Sequence, residues 1–295
     1  MSIAVSGASG RLGSRIIEAL LALDDPEKPP LIALSRDTSS MSFAGVNVRQ
    51  ADYAQPDQMT SALAGVEVLV LISAPVKAGV DRVQLHRNAI QAAQEAGVGC
   101  VLYTSVIGNG DESGTWYAET QEVNRVTERD LMDSGLRWII CRNGLYLDLD
   151  LMHLRAAGPD GVYSNNAGTG RCGYIAISEL AFAIARLTLE AHQGRGTNRT
   201  VNLIGETVTQ QELVALANQV FGMEVRYQPI SEAANVDRLM AHPMIARRGL
   251  EVARMLTGCF QCMSRGAFDV EPQFHLAAGR PAKPLAQQMS ELDPL

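Results

Sequence analysis

Through the first half of the chain, short apolar runs alternate with longer amphipathic stretches. Ile3 to Val5, Leu31 to Leu34, Val46 to Arg49, Val66 to Ile72, Val98 to Tyr103 and Arg137 to Cys141 are mostly apolar. Such runs predict strands covered on both faces, because a strand with one wet face alternates. Arg11 to Leu23, Gln55 to Leu63, Val80 to Ala96 and Glu119 to Met132 carry helical spacing. This βαβα order predicts an α/β fold on a parallel sheet with helices on both faces. The polar, proline-rich segment Asp24 to Pro30 is expected to end the first helix and restart the chain as a strand.

Beyond Cys141 the alternation loosens. Arg142-Asn143-Gly144-Leu145-Tyr146 leads into a mixed stretch, and Gly158 to Gly173 is rich in glycine and asparagine. Tyr174 to Ile177 reads as a strand, and Ser178 to Leu189 as a helix with Ser178 as its N-cap. Arg199 to Ile204 is another strand. Thr209 and Glu212 have capping-box spacing ahead of the helical Leu213 to Phe221. Val225 to Gln228 predicts a short strand, Ser231 to Gly258 is mostly helical, and the proline-bearing end from Arg280 is expected to be loose.

Gly7-Ala8-Ser9-Gly10-Arg11-Leu12-Gly13 stands directly between the first strand and the first helix. A glycine loop there lets backbone approach a pyrophosphate, with the N–H groups and positive dipole end of the helix aimed at it. Gly7 would make the tight turn, Gly10 the close approach and Gly13 the packing of helix on strand, while Ser9, Arg11 and Leu12 share the turn. The spacing is G-x-x-G-x-x-G rather than G-x-G-x-x-G, and a turn without a ligand is the bland alternative. The pattern therefore predicts a Rossmann-like doubly wound sheet. A nucleotide-binding domain would span residues 1–150 and a smaller, mainly substrate-binding lobe 151–295, with 174–204 returning to the first domain. Ligands of such sheets lie beyond the carboxyl ends of the strands, here after Val5, Leu34, Ile72, Tyr103 and Cys141.

The end of the second strand bears on the choice of dinucleotide. An acidic residue there suits the ribose of NAD, and a cation suits the 2′-phosphate of NADP. Arg36 holds that position, and a guanidinium grips phosphate with two parallel bonds. Arg11 would add a second positive charge. NADPH is thus expected over NADH, with Asp37 as a residue that would neutralise Arg36 or face the ribose instead. Asp52 is a candidate for the adenine amino group, Ser73 for the ribose and phosphates, and Thr104 and Ser105 for the nicotinamide end.

Composition narrows the partners. The 295 residues are 46% apolar, carry a formal charge of −7 and show no lysine/arginine run, which disfavours nucleic acid. No apolar run approaches the roughly 20 residues of a membrane span. The first strand starts by the third residue and leaves no room for a signal peptide, so a cytoplasmic location is expected. The five cysteines are scattered and odd in number, unlike a disulfide framework. Cys100 and Cys141 read as packed thiols. Cys259-x-x-Cys262 has redox or metal-ligand spacing but no second ligand pair, so no metal is expected.

Short-chain dehydrogenases that oxidise alcohols pair a tyrosine with a lysine four residues on. After Tyr117 that position is Gln121, and the three lysines, Lys28, Lys77 and Lys283, fall elsewhere. The five histidines are dispersed, His86 reads as a packed or surface residue, and no G-x-S-x-G elbow occurs.

The glycine loop, Arg49-Gln50-Ala51-Asp52-Tyr53, His86-Arg87-Asn88 and Tyr103-Thr104-Ser105 together resemble the NmrA-like atypical short-chain reductases. So do Thr127-Glu128, Asp133-Ser134-Gly135 and Arg142-Asn143-Gly144 with Tyr146. The likeness, closest to bacterial NAD(P)H:quinone oxidoreductases, is densest up to Tyr146. It implies a nucleotide lobe and a small lobe with a cleft between them, a preference for NADPH, and no tyrosine–lysine pair. This chain departs from those reductases in carrying Asn124 and Arg129 where they have a histidine and a lysine, and in a longer Asn109 to Thr120.

The expected activity is hydride transfer from NADPH to a small conjugated acceptor, a quinone in the first instance. Asn143, Tyr146 and Tyr117 are the candidate catalytic residues, for hydrogen bonding, stacking or proton donation. The alternatives are a dinucleotide sensor without turnover, and a reductase of an azo dye, aromatic ether or imine. Oligomers are compatible with all of these.

Overall fold

The computed structural model describes residues 1–25, 28–39, 41–77, 79–157 and 161–292. Seven parallel strands form the central sheet: β1 (Ser2–Val5), β2 (Leu31–Ser35), β3 (Asn47–Gln50), β4 (Val66–Leu71), β5 (Cys100–Val106), β6 (Arg137–Asn143) and β10 (Arg199–Leu203). Their order across the sheet is β10-β6-β5-β4-β1-β2-β3. The order reverses beside β1, and this reversal opens the crevice where ligands of doubly wound sheets sit.

Side chains of period two supply both faces. Ile3, Val5, Val68, Val70, Leu102 and Ile139 join one buried cluster with α1 (Arg11–Ala22) and α6 (Ile177–His192). Ala4, Leu69, Leu71, Val101 and Tyr103 join another with α2 (Pro56–Ala62), α3 (Arg82–Glu95) and α4 (Ala118–Met132). One wetted face would have forced polar residues into half of these positions; none appears, which is why the strands read as continuous apolar runs.

Most of the rest of the chain builds a third buried cluster over the carboxyl end of the sheet. It contains β7 (Leu145–Tyr146), α5 (Leu147–Ala156), β8 (Val162–Asn165), β9 (Arg171–Ile175) and β11 (Thr207–Thr209). It also includes α7 (Gln210–Phe221), β12 (Arg226–Pro229) and α10 (Leu250–Ser264), with α8 (Glu232–Ala241) and α9 (Pro243–Ala246) packed against α10. β11, β9 and β7 form a three-stranded sheet, and β12 pairs with β8. The capping box closes on α7 as its spacing predicts: Thr209 accepts from the Glu212 N–H, and Glu212 accepts from the Thr209 N–H.

Several boundaries differ from expectation. β5 runs on to Val106 and β6 to Asn143, so Thr104, Ser105 and Asn143 belong to strands rather than following them. α5 is unexpected, because Leu147 to Ala156 alternates leucine with aspartate in its first turns and has weak amphipathic character at helical spacing. Ser178 is not an N-cap: α6 begins one residue earlier, Ala176 holds the cap position, and the Ile177 N–H is accepted by Asp148 Oδ2 at 2.9 Å. β9 therefore stops at Ile175. α10 continues past Gly258 to Ser264. The end of the chain is not loose. α11 (Phe274–Ala278) and α12 (Leu285–Ser290) pack onto the body, burying Phe274, Leu285 and Met289, and Gln288 accepts from the Ala176 N–H. Within the predicted loop Asp24 to Pro30, Pro26 and Glu27 lie outside the described residues, as do 158–160 of the Gly158 to Gly173 stretch.

Candidate active site

One continuous groove crosses the carboxyl end of the sheet. Its nucleotide half is a cleft of about 390 Å³ lined by Gly7, Ser9, Gly10, Arg11, Leu12, Gly13, Arg36, Asp52 and Ser73. Its inner half, about 260 Å³, is lined by Ser73, Arg82, Thr104, Ser105, Tyr117, Asn124, Asn143 and Tyr146. Ile72, Ser73 and Tyr146 line both and form the seam. The glycine loop, Arg36 and Asp52 line the nucleotide half, Thr104, Ser105, Tyr117 and Asn143 the inner half, and Ser73 and Tyr146 both, while Asp37 lines neither; Thr104 and Ser105, expected beside the cofactor, thus lie in the inner half with the catalytic candidates.

The nucleotide half is shaped by backbone. Gly7 turns at φ +59°. A Cβ at Gly13 would stand 2.3 Å from the Gly7 carbonyl oxygen, so only glycine lets α1 seat this close to the loop. No side chain caps the start of α1, and no acidic residue lies in its first turn. Its leading N–H groups and positive dipole end therefore face the cleft. Ser9 and Ser35 hydroxyls meet at 3.0 Å. Arg36 is exposed and no carboxylate pairs with it among the described residues, because Asp37 turns away and accepts from the N–H and hydroxyl of Ser39. Those two bonds hold the Asp37 carboxyl below its ordinary pKa. Arg11 is likewise exposed at the rim. Asp52 lines the cleft while its Oδ1 accepts from the Ala54 N–H.

Tyr53, which closes the Arg49–Tyr53 string of the family likeness, ties the strand ends together. Its hydroxyl donates to the Ile72 carbonyl at 2.9 Å and meets Ser6 Oγ at 2.5 Å.

The inner half is built from side chains of distant segments. The Ser73 N–H donates to Thr104 Oγ1 at 2.9 Å, so Thr104 fixes the end of β4. Ser105 turns its hydroxyl to the buried Glu128, at 2.6 Å, away from the role expected for it. Glu128 also receives Arg125 and the fork of Arg142. Asn143 is buried, and its Oδ1 has no hydrogen-bond partner among the described residues. A buried acceptor left open at a cleft is costly unless a ligand completes it. Tyr117 packs edge-on against Phe268, with ring centroids 5.8 Å apart. Burial raises the phenols of both Tyr117 and Tyr146 above their ordinary pKa. Both are neutral at physiological pH and can donate a hydrogen bond.

Beneath this half lies a neutral polar chain centred on His86, fully buried as a packed residue. Its Nε2 accepts from the Ala74 N–H at 2.9 Å, which places the ring proton on Nδ1, facing Thr127 Oγ1 at 2.8 Å. Burial, with the Arg82 charge, pulls its pKa down to about 3. Asn124 accepts from the Tyr103 hydroxyl at 3.0 Å. Arg82, unmarked by any motif, reaches the cleft from the first position of α3, next to the Asp81 cap that accepts from the Gln84 N–H.

The cysteines stay outside the groove. Cys100 and Cys141 are packed free thiols in the sheet, and Cys259 and Cys262 lie on α10. Among the described residues no group of three or more His, Cys, Asp or Glu could hold a metal, and no helix is long and apolar enough to cross a membrane.

This loop, sheet and groove define an NAD(P)H-binding protein. The NAD(P)H-binding family model matches residues 7–167, and the chain belongs to that family, among its NmrA-like oxidoreductases. It is 34% identical to quinone oxidoreductase 2 of Escherichia coli over 98% of each chain. A crystal structure of NADPH-dependent quinone oxidoreductase from that organism, complexed with NADPH, matches with a TM-score of 0.84, 30% identity and 98% coverage of both chains. An NmrA-like family domain-containing oxidoreductase of Aspergillus flavus is 32% identical over 80% of this chain and 77% of its own. Citrobacter sp. triphenylmethane reductase matches with a TM-score of 0.83 at 30% identity, covering 99% of this chain and all (100%) of that one.

Proposed function

We propose that this oxidoreductase transfers hydride from NADPH to a small quinone. The observation that carries the reading is the seam: a nucleotide half with an unpaired Arg36 opens at Ser73 and Tyr146 into a small, largely neutral pocket. The residues fit the cofactor. Arg36 and Arg11 would hold the 2′-phosphate, the uncapped start of α1 the pyrophosphate, and the open Oδ1 of Asn143 the carboxamide N–H2 of the nicotinamide. When bound, NADPH supplies the hydride. The chain's part is then positional, because a quinone accepts hydride without a strong acid and holding two planar rings together supplies a large rate factor. Tyr146 and Tyr117 bound the acceptor, and the absence of a tyrosine–lysine pair is no obstacle to this chemistry. The relatives named for quinone reduction and for triphenylmethane reduction support a conjugated acceptor; the second favours a dye as the competing substrate.

The test is NADPH consumption by purified protein with benzoquinones, naphthoquinones and a triarylmethane dye, with NADH in parallel. Turnover that needs both protein and quinone, faster with NADPH, is the expected result. NADPH binding without turnover of any acceptor would turn the assignment toward a dinucleotide sensor.

A further inference from the structure

Arg82 is the single charged side chain among the described residues lining the inner half of the groove. It is 8% exposed, yet among the described residues no carboxylate pairs with it. Its Nε donates to the Ala74 carbonyl at 2.8 Å and its Nη2 to Ser73 Oγ at 2.7 Å, with Asn124 Oδ1 at 3.4 Å. All three partners are neutral, and Nη1 makes no hydrogen bond within the described residues. The buried acid Glu128, on α4, is already paired with Arg125 and Arg142.

The position is costly on two counts. A buried cation without a counter-charge is destabilising, and a cation at the start of a helix opposes its dipole. A residue that served only to brace the Ser73–Ala74 loop would do so without charge. Burial lowers the guanidinium from its ordinary pKa, but arginine remains protonated at neutral pH.

We propose that Arg82 is an anion-holding catalytic residue of the acceptor pocket, selecting acceptors that become anions on gaining hydride over acceptors that arrive as cations. The proposal rests on the hydride-transfer reading above and names its substrate class. In the step, one C–H bond of the dihydronicotinamide breaks with its electron pair and a new bond to that hydrogen forms on the quinone. The nucleotide is oxidised and the quinone is reduced to a hydroquinone monoanion. Its oxygen lies against the free face of the guanidinium until a proton from water neutralises it. Triarylmethane dyes and iminium ions undergo the opposite change, from cation to neutral, and gain nothing from the charge.

The experiment compares the wild type with Arg82→Gln and Arg82→Lys, after thermal melts establish folding. Three quantities are read: NADPH affinity, turnover of a quinone and of a cationic triarylmethane dye, and the titration of 4-nitrophenol bound to the NADP⁺ complex. The expected result is a loss of quinone kcat of about 100-fold in Arg82→Gln, the scale of one lost oxyanion donor, with NADPH affinity nearly unchanged. Arg82→Lys recovers most of that loss, and the ratio of dye to quinone turnover rises in Arg82→Gln. Bound nitrophenol ionises at lower pH than free nitrophenol in the wild type and in Arg82→Lys, but not in Arg82→Gln. Equal losses in both variants, or nitrophenol that is unshifted or unbound in the wild type, overturn the proposal. If Arg82→Gln does not fold, Arg82→Lys and the wild-type titration decide. A wild type that ionises bound nitrophenol but reduces no quinone retains the anion site and defeats only the quinone assignment.

Discussion

The two halves of the groove are built by opposite means. The nucleotide half uses backbone, a glycine turn and an uncapped helix start, with two exposed arginines, Arg11 opening α1 and Arg36 following β2. The inner half uses buried side chains from α3, α4, β5, β6 and β7, cross-braced by hydrogen bonds. A site made of local backbone tolerates change outside a few glycines. A site made of distant side chains couples fold stability to function, because the same groups hold the sheet ends and face the acceptor.

Variants sharpen that contrast. Glu128→Gln strikes the bracing of the inner half and leaves Arg125 and Arg142 facing each other; removing one partner of such a buried cluster costs about 3–5 kcal/mol. Urea unfolding should show that loss, and a loss below about 1 kcal/mol would make the cluster a surface-like pair.

His86 gives the next largest effect, along the pH axis. Its folded pKa, about 3, lies below the ordinary value of 6.5. The unfolded chain therefore binds the extra proton first as pH falls below 6.5. Stability is whole above that pH and declines by about 1.4 kcal/mol per unit between 6.5 and 3. His86→Gln should flatten that limb in unfolding curves measured across pH; an unchanged slope would assign the acid sensitivity elsewhere.

The nucleotide half predicts a change in selectivity without a change in fold. Arg36→Ala should lower the NADPH-to-NADH ratio of kcat/KM about 10- to 100-fold, the worth of a charged hydrogen-bond pair, at unaltered melting temperature. A retained ratio would move 2′-phosphate recognition away from Arg36. The smallest effect is expected at the seam. Tyr146→Phe keeps the ring and loses one hydroxyl, so kcat should fall no more than about fivefold. A fall of two orders of magnitude would make that hydroxyl the proton donor.

The same contrast explains what could be read from the residues alone. The sheet was legible because burial on both faces imposes uninterrupted apolar runs such as Val66–Leu71. The glycine loop was legible because its function is its spacing. Arg36 stood out as a charge at a strand end. Arg82 did not, since nothing in Val80-Asp81-Arg82 separates a buried cation from an ordinary polar helix start. Ser105 lies within β5 and its hydroxyl is claimed by Glu128, a partner 23 positions away whose burial no local pattern announces. α5 is hard to read for a related reason: Leu147, Leu151 and Leu154 anchor it to the third buried cluster, whose other members come from segments far along the chain.

The sheet is completed by β10, which pairs with β6 from beyond α5, α6 and the whole β8–β9 region. α1 finds its main neighbour in α6, from the same late stretch. During synthesis, the glycine loop and the first six strands leave the ribosome while β6 still presents a bare edge and α1 an uncovered apolar stripe. Both are invitations to mispairing in a crowded cell. The nascent chain thus passes through a vulnerable interval that ends only when Arg199–Leu203 emerges, and a premature stop before that point leaves a nucleotide loop with no finished protein to carry it.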